Sequence, residues 1–266
     1  MTFEDRYGPW AIVAGASEGI GQAWCRRLAE RGLNVFLIAR REGPLRAEAA
    51  EIEGRTGVRT AVLAADLSVP DAALRIAAAT RDLDVGFLVY NAAYAEVSEF
   101  LSQSDDSHRR TVDLNCRGVL LLTQAVANRL VARGRGGIVL MSSMSGWQGS
   151  ALMSTYGASK AFITVFGESL WSELRPLGVD VQVCVAGATR TPNFLARTPE
   201  SKQRGAFPMA PDAVVDASLA RLGKGPTAIA GGVNRAVHII LNKLAPRSAA
   251  IRFFSRTVRG MYEGGS

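Results

Sequence analysis

The chain has 266 residues, 48% of them hydrophobic and 21% charged, with a net charge of +7. This is an ordinary globular mixture, which excludes disorder, collagen, a coiled coil or a disulfide scaffold for the chain as a whole. No apolar run approaches the ~20 residues of a membrane span. In chain order, residues 11–14 read as a strand and 20–31 as a helix. Residues 34–39 form a second strand and 44–53 a second helix. A third strand at 60–64 precedes a helix at 71–80, and a fourth strand covers 85–90. A long helix follows at 112–132, a fifth strand at 137–141, a long helix at 155–174 and a sixth strand at 179–185. The pattern closes with a helix at 212–222 and a seventh strand at 227–230. Apolar strands alternating with amphipathic helices predict one α/β domain over 1–266. Its fold is a doubly wound parallel sheet of about seven strands, covered by helices on both faces. Four prolines between Thr189 and Pro211 mark 189–211 as a mobile loop.

Cys25, Cys116 and Cys184 have no metal-type spacing, and no His/Cys/acid cluster suggests a metal. The odd, sparse cysteines fit a reduced compartment. The opening MTFEDRYGPW does not read as a secretory signal, so a cytoplasmic location is expected. The positive charge suits anionic partners such as nucleotides, coenzyme A esters or acidic lipids. Nucleic acid is not expected, because the basic residues lack interleaved aromatics and a recognised motif.

The first strand runs into Gly15-Ala16-Ser17-Glu18-Gly19-Ile20-Gly21. Glycines there permit a sharp turn and close approach to a pyrophosphate, which the following helix N-terminus attracts. After the second strand come Arg40 and Arg41, with Ala39 where an acid would bind an adenosine ribose. Guanidinium groups suit a 2′-phosphate, so NADP(H) is preferred over NAD(H). Tyr156 and Lys160 are four residues apart and share one helix face. A nearby ammonium is expected to lower the tyrosine pKa from ~10 toward neutrality, fitting it for proton exchange with a carbonyl or alcohol. Ser143 follows the fifth strand, where its hydroxyl can stabilise a substrate oxygen. Asn115, in an apolar helix, needs a water or backbone partner.

Glycine turn, Asn115, Ser143, Tyr156 and Lys160 occur in the order found in short-chain dehydrogenases/reductases, which this chain resembles from about residue 10 to 191. Ala14 stands where that family usually has threonine, Ala93 replaces the glycine of its Asn-Ala-Gly motif, and Ala186 replaces a proline. The resemblance implies an NADPH-dependent carbonyl reductase. It makes Tyr156 the acid/base and Ser143 the ligand of the reacting oxygen. Lys160 would also hold the nicotinamide ribose, and Asn115 would anchor a water leading to solvent. Ser17 and Arg40 would hold the 2′-phosphate, with Glu18 a departure that tempers the preference. Asp66 and Leu67 would contact adenine, although Asp66 can equally cap a helix. Asn91, Ala92 and Ala93 would lie against the cofactor, as would Gly187, Thr189 and Thr191. Rival readings are an NAD-dependent alcohol dehydrogenase and a non-catalytic NADPH-binding sensor. The family also implies a homodimer or homotetramer.

The substrate is expected to be a lipophilic ketone, aldehyde or oxoacyl thioester. The opening Tyr7-Gly8-Pro9-Trp10-Ala11 resembles 3-oxoacyl and 17β-hydroxysteroid reductases. Tyr94, Met144, Trp147, Met153 and Phe194 flank the motifs and are candidate pocket walls. The extension at 236–266 is basic and amphipathic. It can pack over the cleft, which is the favoured reading, form a subunit contact, or lie on an anionic membrane.

Overall fold

Residues 1–262 are described by the computed structural model. Residues 263–266, the end of the expected basic extension, lie outside the described residues. Seven strands form one parallel sheet in the order β3-β2-β1-β4-β5-β6-β7. They are β1 Trp10–Ala14, β2 Asn34–Ala39, β3 Thr60–Ala64, β4 Val85–Tyr90, β5 Gly136–Ser143, β6 Val179–Ala186 and β7 Thr227–Ile229. The expected doubly wound fold is therefore correct. Every residue of β1, β4 and β6 is buried, as strands covered on both faces require. The chain reverses direction across the sheet between β1 and β4, which opens a crevice at their carboxyl ends.

The helices are α1 Phe3–Tyr7, α2 Gly19–Ala29, α3 Glu42–Thr56, α4 Ala72–Ala79, α5 Asp105–Val112, α6 Gly118–Arg133 and α7 Ser154–Leu174. They continue with α8 Pro192–Arg197, α9 Glu200–Gln203, α10 Pro211–Leu219, α11 Gly232–Ile239 and α12 Arg247–Tyr262. One sheet face packs on Trp24, Leu28 and Leu45, the other on Ile76, Val119 and Leu130.

Three segments differ from expectation. The helix expected at 112–132 begins earlier, as α5, and passes through a π turn at Asp113–Arg117 before α6. The segment expected as a loop carries α8 and α9. Thr191 starts α8 by accepting a bond from the Phe194 N–H at 3.2 Å, and Pro192 fits its first turn. The extension folds as α11 and α12. Ala250 and Val258 are buried, Arg247 donates to the Trp147 carbonyl at 2.7 Å, and Ser255 accepts from the Ala151 N–H at 3.0 Å. Packing on the domain, the favoured reading of this tail, matches its α12 part. Among the described residues no helix is long and apolar enough to cross a membrane, and no acid/His/Cys group could hold a metal.

Candidate active site

The glycine turn is built by close approach. Gly15 has φ +87°, and a Cβ there would lie 2.6 Å from the Ala92 nitrogen. A Cβ on Gly21 would lie 1.9 Å from the Gly15 carbonyl oxygen, to which the Asn91 amide donates at 2.9 Å. The turn is thus clamped between α2 and the end of β4, and a side chain at either glycine would push it open. Beside it lies a cleft of about 600 Å³. Gly15, Ser17, Gly19 and Ile20 line one side, and Arg40 and Arg41 close one end. Asp66, Leu67, Asn91, Ala92 and Ala93 form the opposite wall. Gly21 is not on the lining; its part is to let α2 approach Gly15.

Asp66 serves the cleft and a local turn together. Burial alone would raise its pKa, but bonds from the Ser68 hydroxyl (2.6 Å) and N–H (2.9 Å) hold the carboxyl below the usual range. At the basic end, Arg41 is tied to Glu18 at 2.6 Å. The glycine turn, the helix N-terminus and the guanidinium end fit a phosphorylated dinucleotide.

The second cluster sits where β5 meets α7. A Cβ on Gly146 would lie 2.8 Å from the Lys160 carbonyl carbon, and one on Gly157 would lie 3.0 Å from the Ser145 carbonyl oxygen. These two glycines let the turn after β5 sit on α7, bringing Ser143 to Tyr156 and Lys160. Ser143 is the last residue of β5, and pairing with Ala186 of β6 fixes its place. The neighbouring Ser142 is committed elsewhere. It donates to the Lys160 carbonyl at 2.9 Å and shares a bond with the Thr164 hydroxyl at 2.8 Å. Lys160 is buried, its Nζ donating to the Met141 carbonyl at 2.8 Å and lying 5.7 Å from the Tyr156 ring centre.

The electrostatics correct the expected tyrosine shift. Tyr156 stays partly open to the cleft, but desolvation of its hydroxyl pushes its pKa up to about 12, opposed by a hydrogen bond with Ser143. Lys160 falls to about 8 because burial penalises its ammonium. Desolvation, rather than the ammonium, sets the tyrosine's state in this arrangement.

Asn115 lies on the π turn, fully buried. Its amide accepts from the Tyr94 N–H at 2.8 Å and donates to the Tyr94 carbonyl at 2.8 Å and the Ser159 hydroxyl at 2.9 Å. The backbone partner anticipated from its cost is thus present. It ties the loop after β4 to α7.

A cleft of about 300 Å³ opens above Tyr156. Gly187 and Thr189 line it, and Ile20, Asn91, Ala93 and Thr191 border both it and the cleft beside the glycine turn. Met144, Met153 and Phe194 form its walls as expected. Tyr94 and Trp147 do not line it, which corrects that expectation. The Tyr94 ring lies under the Arg110 guanidinium (5.1 Å), its hydroxyl bonded to Glu96. The Trp147 ring packs on His238 of α11, with centroids 4.4 Å apart. Sequence reasoning missed Val97, Arg197 and the α12 wall of Phe254, Val258 and Met261. The spacing of the last three marks one helix face, a signal present in the tail but not assigned to the cleft.

A family model described as short chain dehydrogenase matches residues 9–202. The chain belongs to the short-chain dehydrogenase family. Its members are oxidoreductases acting on CH–OH and C=O groups. A 7beta-hydroxysteroid dehydrogenase of Mediterraneibacter gnavus is 35% identical over 239 residues, covering 89% of this chain and 91% of that one. A solved 7beta-hydroxysteroid dehydrogenase superposes with a TM-score of 0.90 at 33% identity, covering 96% of this chain and 99% of the other. A short-chain dehydrogenase from Sphingobium yanoikuyae in complex with NADPH superposes with a TM-score of 0.76 at 33% identity, over 84% and 87% of the two chains. Short-chain dehydrogenases bind NAD(P), and the cleft beside the glycine turn lies at the carboxyl ends of the strands, where the fold places such a cofactor.

Proposed function

We propose that this short-chain dehydrogenase is an NADPH-dependent reductase of lipophilic ketones, with steroid ketones as the substrate class. One observation carries the reading: Tyr156, Ser143 and Lys160 meet at the floor of an apolar cleft continuous with the nucleotide cleft. Bound NADPH supplies the hydride. Ser143 donates a hydrogen bond to the substrate oxygen and steadies the charge that builds there. Tyr156, protonated across the neutral range, gives its proton to that oxygen. Lys160 holds the nicotinamide ribose and, with a pKa near 8, can restore a proton to the tyrosine. Asn115 keeps the Tyr94 loop and α7 in register. The names of the hydroxysteroid relatives and the Met144, Met153 and Phe194 walls support a steroid over a sugar. NADPH consumption should therefore be found with steroid ketones. Turnover of a small sugar with no response to any lipophilic ketone contradicts the assignment.

Cofactor choice rests on Arg40, since Arg41 is engaged by Glu18. A charge-assisted bond of about 1.5–3 kcal/mol corresponds to roughly tenfold to a hundredfold in affinity. Arg40→Ala should weaken NADPH by that factor and leave NADH nearly unchanged. Glu18→Gln should free Arg41 and strengthen NADPH severalfold. Dissociation constants from nucleotide fluorescence check both. Equal losses for the two nucleotides would contradict the role given to Arg40.

A further inference from the structure

Residues 232–244 form a continuous helical run, α11 followed by a π turn at Ile240–Leu244. Its inner side is anchored. Val237 packs with Met144, Val183 and Val185, and His238 lies on Trp147. The outer side carries Val233, Ala236, Ile240 and Leu244, spaced by three, four and four residues, which places them on one face. Val233 is 56% exposed, Ile240 55% and Leu244 74%. Ile239, on the flank of the stripe, is 48% exposed. Arg235 and Lys243 are also exposed, on the side of the run that carries Ile239. From residue 232 to 262 the chain contains six Lys or Arg and no Asp or Glu.

We propose that this face rests on an anionic phospholipid bilayer. Val233, Ala236, Ile240 and Leu244 enter the boundary between headgroups and acyl chains, and Arg235 and Lys243 meet the lipid phosphates. An outward apolar stripe flanked by cations on an anchored helix is the pattern of a helix lying in a membrane interface. Charge decides between this occupant and a second copy of the chain. A two-fold pairing through the face would set Arg235 and Lys243 against their own counterparts with no carboxylate on the helix to answer them. An anionic lipid surface supplies that missing charge. The next helix, α12, turns Phe254, Val258 and Met261 into the substrate cleft. The lipid-facing segment therefore adjoins the cleft wall, which would suit a membrane-dissolved substrate. That last use rests on the reaction proposed above, whereas the binding does not.

Sedimentation of the full chain with vesicles tests the proposal without cofactor or substrate. The protein should pellet with phosphatidylcholine vesicles containing phosphatidylglycerol and stay in solution with phosphatidylcholine alone. Arg235→Gln with Lys243→Gln should weaken binding about fivefold for each cation removed. Ile240→Asp with Leu244→Asp should weaken it roughly tenfold or more, since two apolar side chains no longer enter the interface. All four positions face outward, so thermal unfolding followed by circular dichroism should match the wild type and exclude misfolding. A wild type that stays in solution with anionic vesicles overturns the proposal. So does equal pelleting of wild type and the aspartate variant. An oligomer seen by light scattering that the aspartate variant dissociates, with no vesicle binding by either protein, would instead assign the face to a second copy.

Discussion

Tyr156→Phe is expected to lower turnover of a carbonyl substrate by about 10²–10⁴-fold, the usual contribution of a positioned proton donor. The change removes only the hydroxyl, so the ring should keep its place on α7 beside Lys160. Nucleotide affinity should then stay within about twofold, and the loss should fall on kcat rather than KM. The shifted pKa adds a directional consequence. A tyrosine held near 12 is protonated at neutral pH, as carbonyl reduction requires. Alcohol oxidation needs the phenolate, whose population rises as pH climbs toward that value, so the oxidative rate should keep increasing from pH 7 to 10. Steady-state kinetics in both directions check these statements. Full activity in Tyr156→Phe would remove the tyrosine from the chemistry.

Lys160→Met should abolish most turnover and yet stabilise the fold. A lysine lowered from 10.5 to about 8 costs about 3 kcal/mol of stability at neutral pH, because the folded state must carry a buried ammonium. Its bond to the Met141 carbonyl is lost in the variant, which offsets roughly 1 kcal/mol. A net gain of about 2 kcal/mol at pH 7 is expected from urea unfolding. The sign of its pH dependence follows from proton binding. Between pH 8 and 10.5 the unfolded chain keeps the lysine proton that the folded chain has released, so this group makes wild-type stability rise with pH. The advantage of Lys160→Met should therefore shrink across that window. A variant no more stable than wild type at pH 7, or a difference that ignores pH, would contradict the burial cost assigned to Lys160. Such a cost at a reacting centre is a common form of the trade between stability and activity.

Much of this was readable along the chain because the relevant interactions are local. The expected and observed bounds of all seven strands agree within about two residues, since their apolar runs are bounded by turn residues. The glycine turn and the Tyr156/Lys160 pair were legible because a spacing in sequence there sets a geometry directly. Other features depend on contacts between distant segments. Trp147 turns to His238, ninety-one positions away, and so leaves the cleft that its neighbours line. Phe254, Val258 and Met261 meet a cleft built mostly by residues before 198. The π turn holding Asn115 has no periodic signature of its own, and its amide finds Tyr94 and Ser159 only once the sheet has formed. The tyrosine shift was misjudged because spacing shows which charge is near but not how much water is lost.

The most direct test of the proposed chemistry follows the label. A steroid ketone should be reduced with NADPH carrying deuterium at both C4 positions, in ordinary water, and the product analysed by mass spectrometry and NMR. One deuterium should appear on the new carbinol carbon, and no label at that carbon when unlabelled NADPH is used in D₂O. A product hydrogen drawn from solvent, or a ketone returned unchanged beside bound nucleotide with every lipophilic carbonyl tried, would contradict hydride reduction as the function of this cleft.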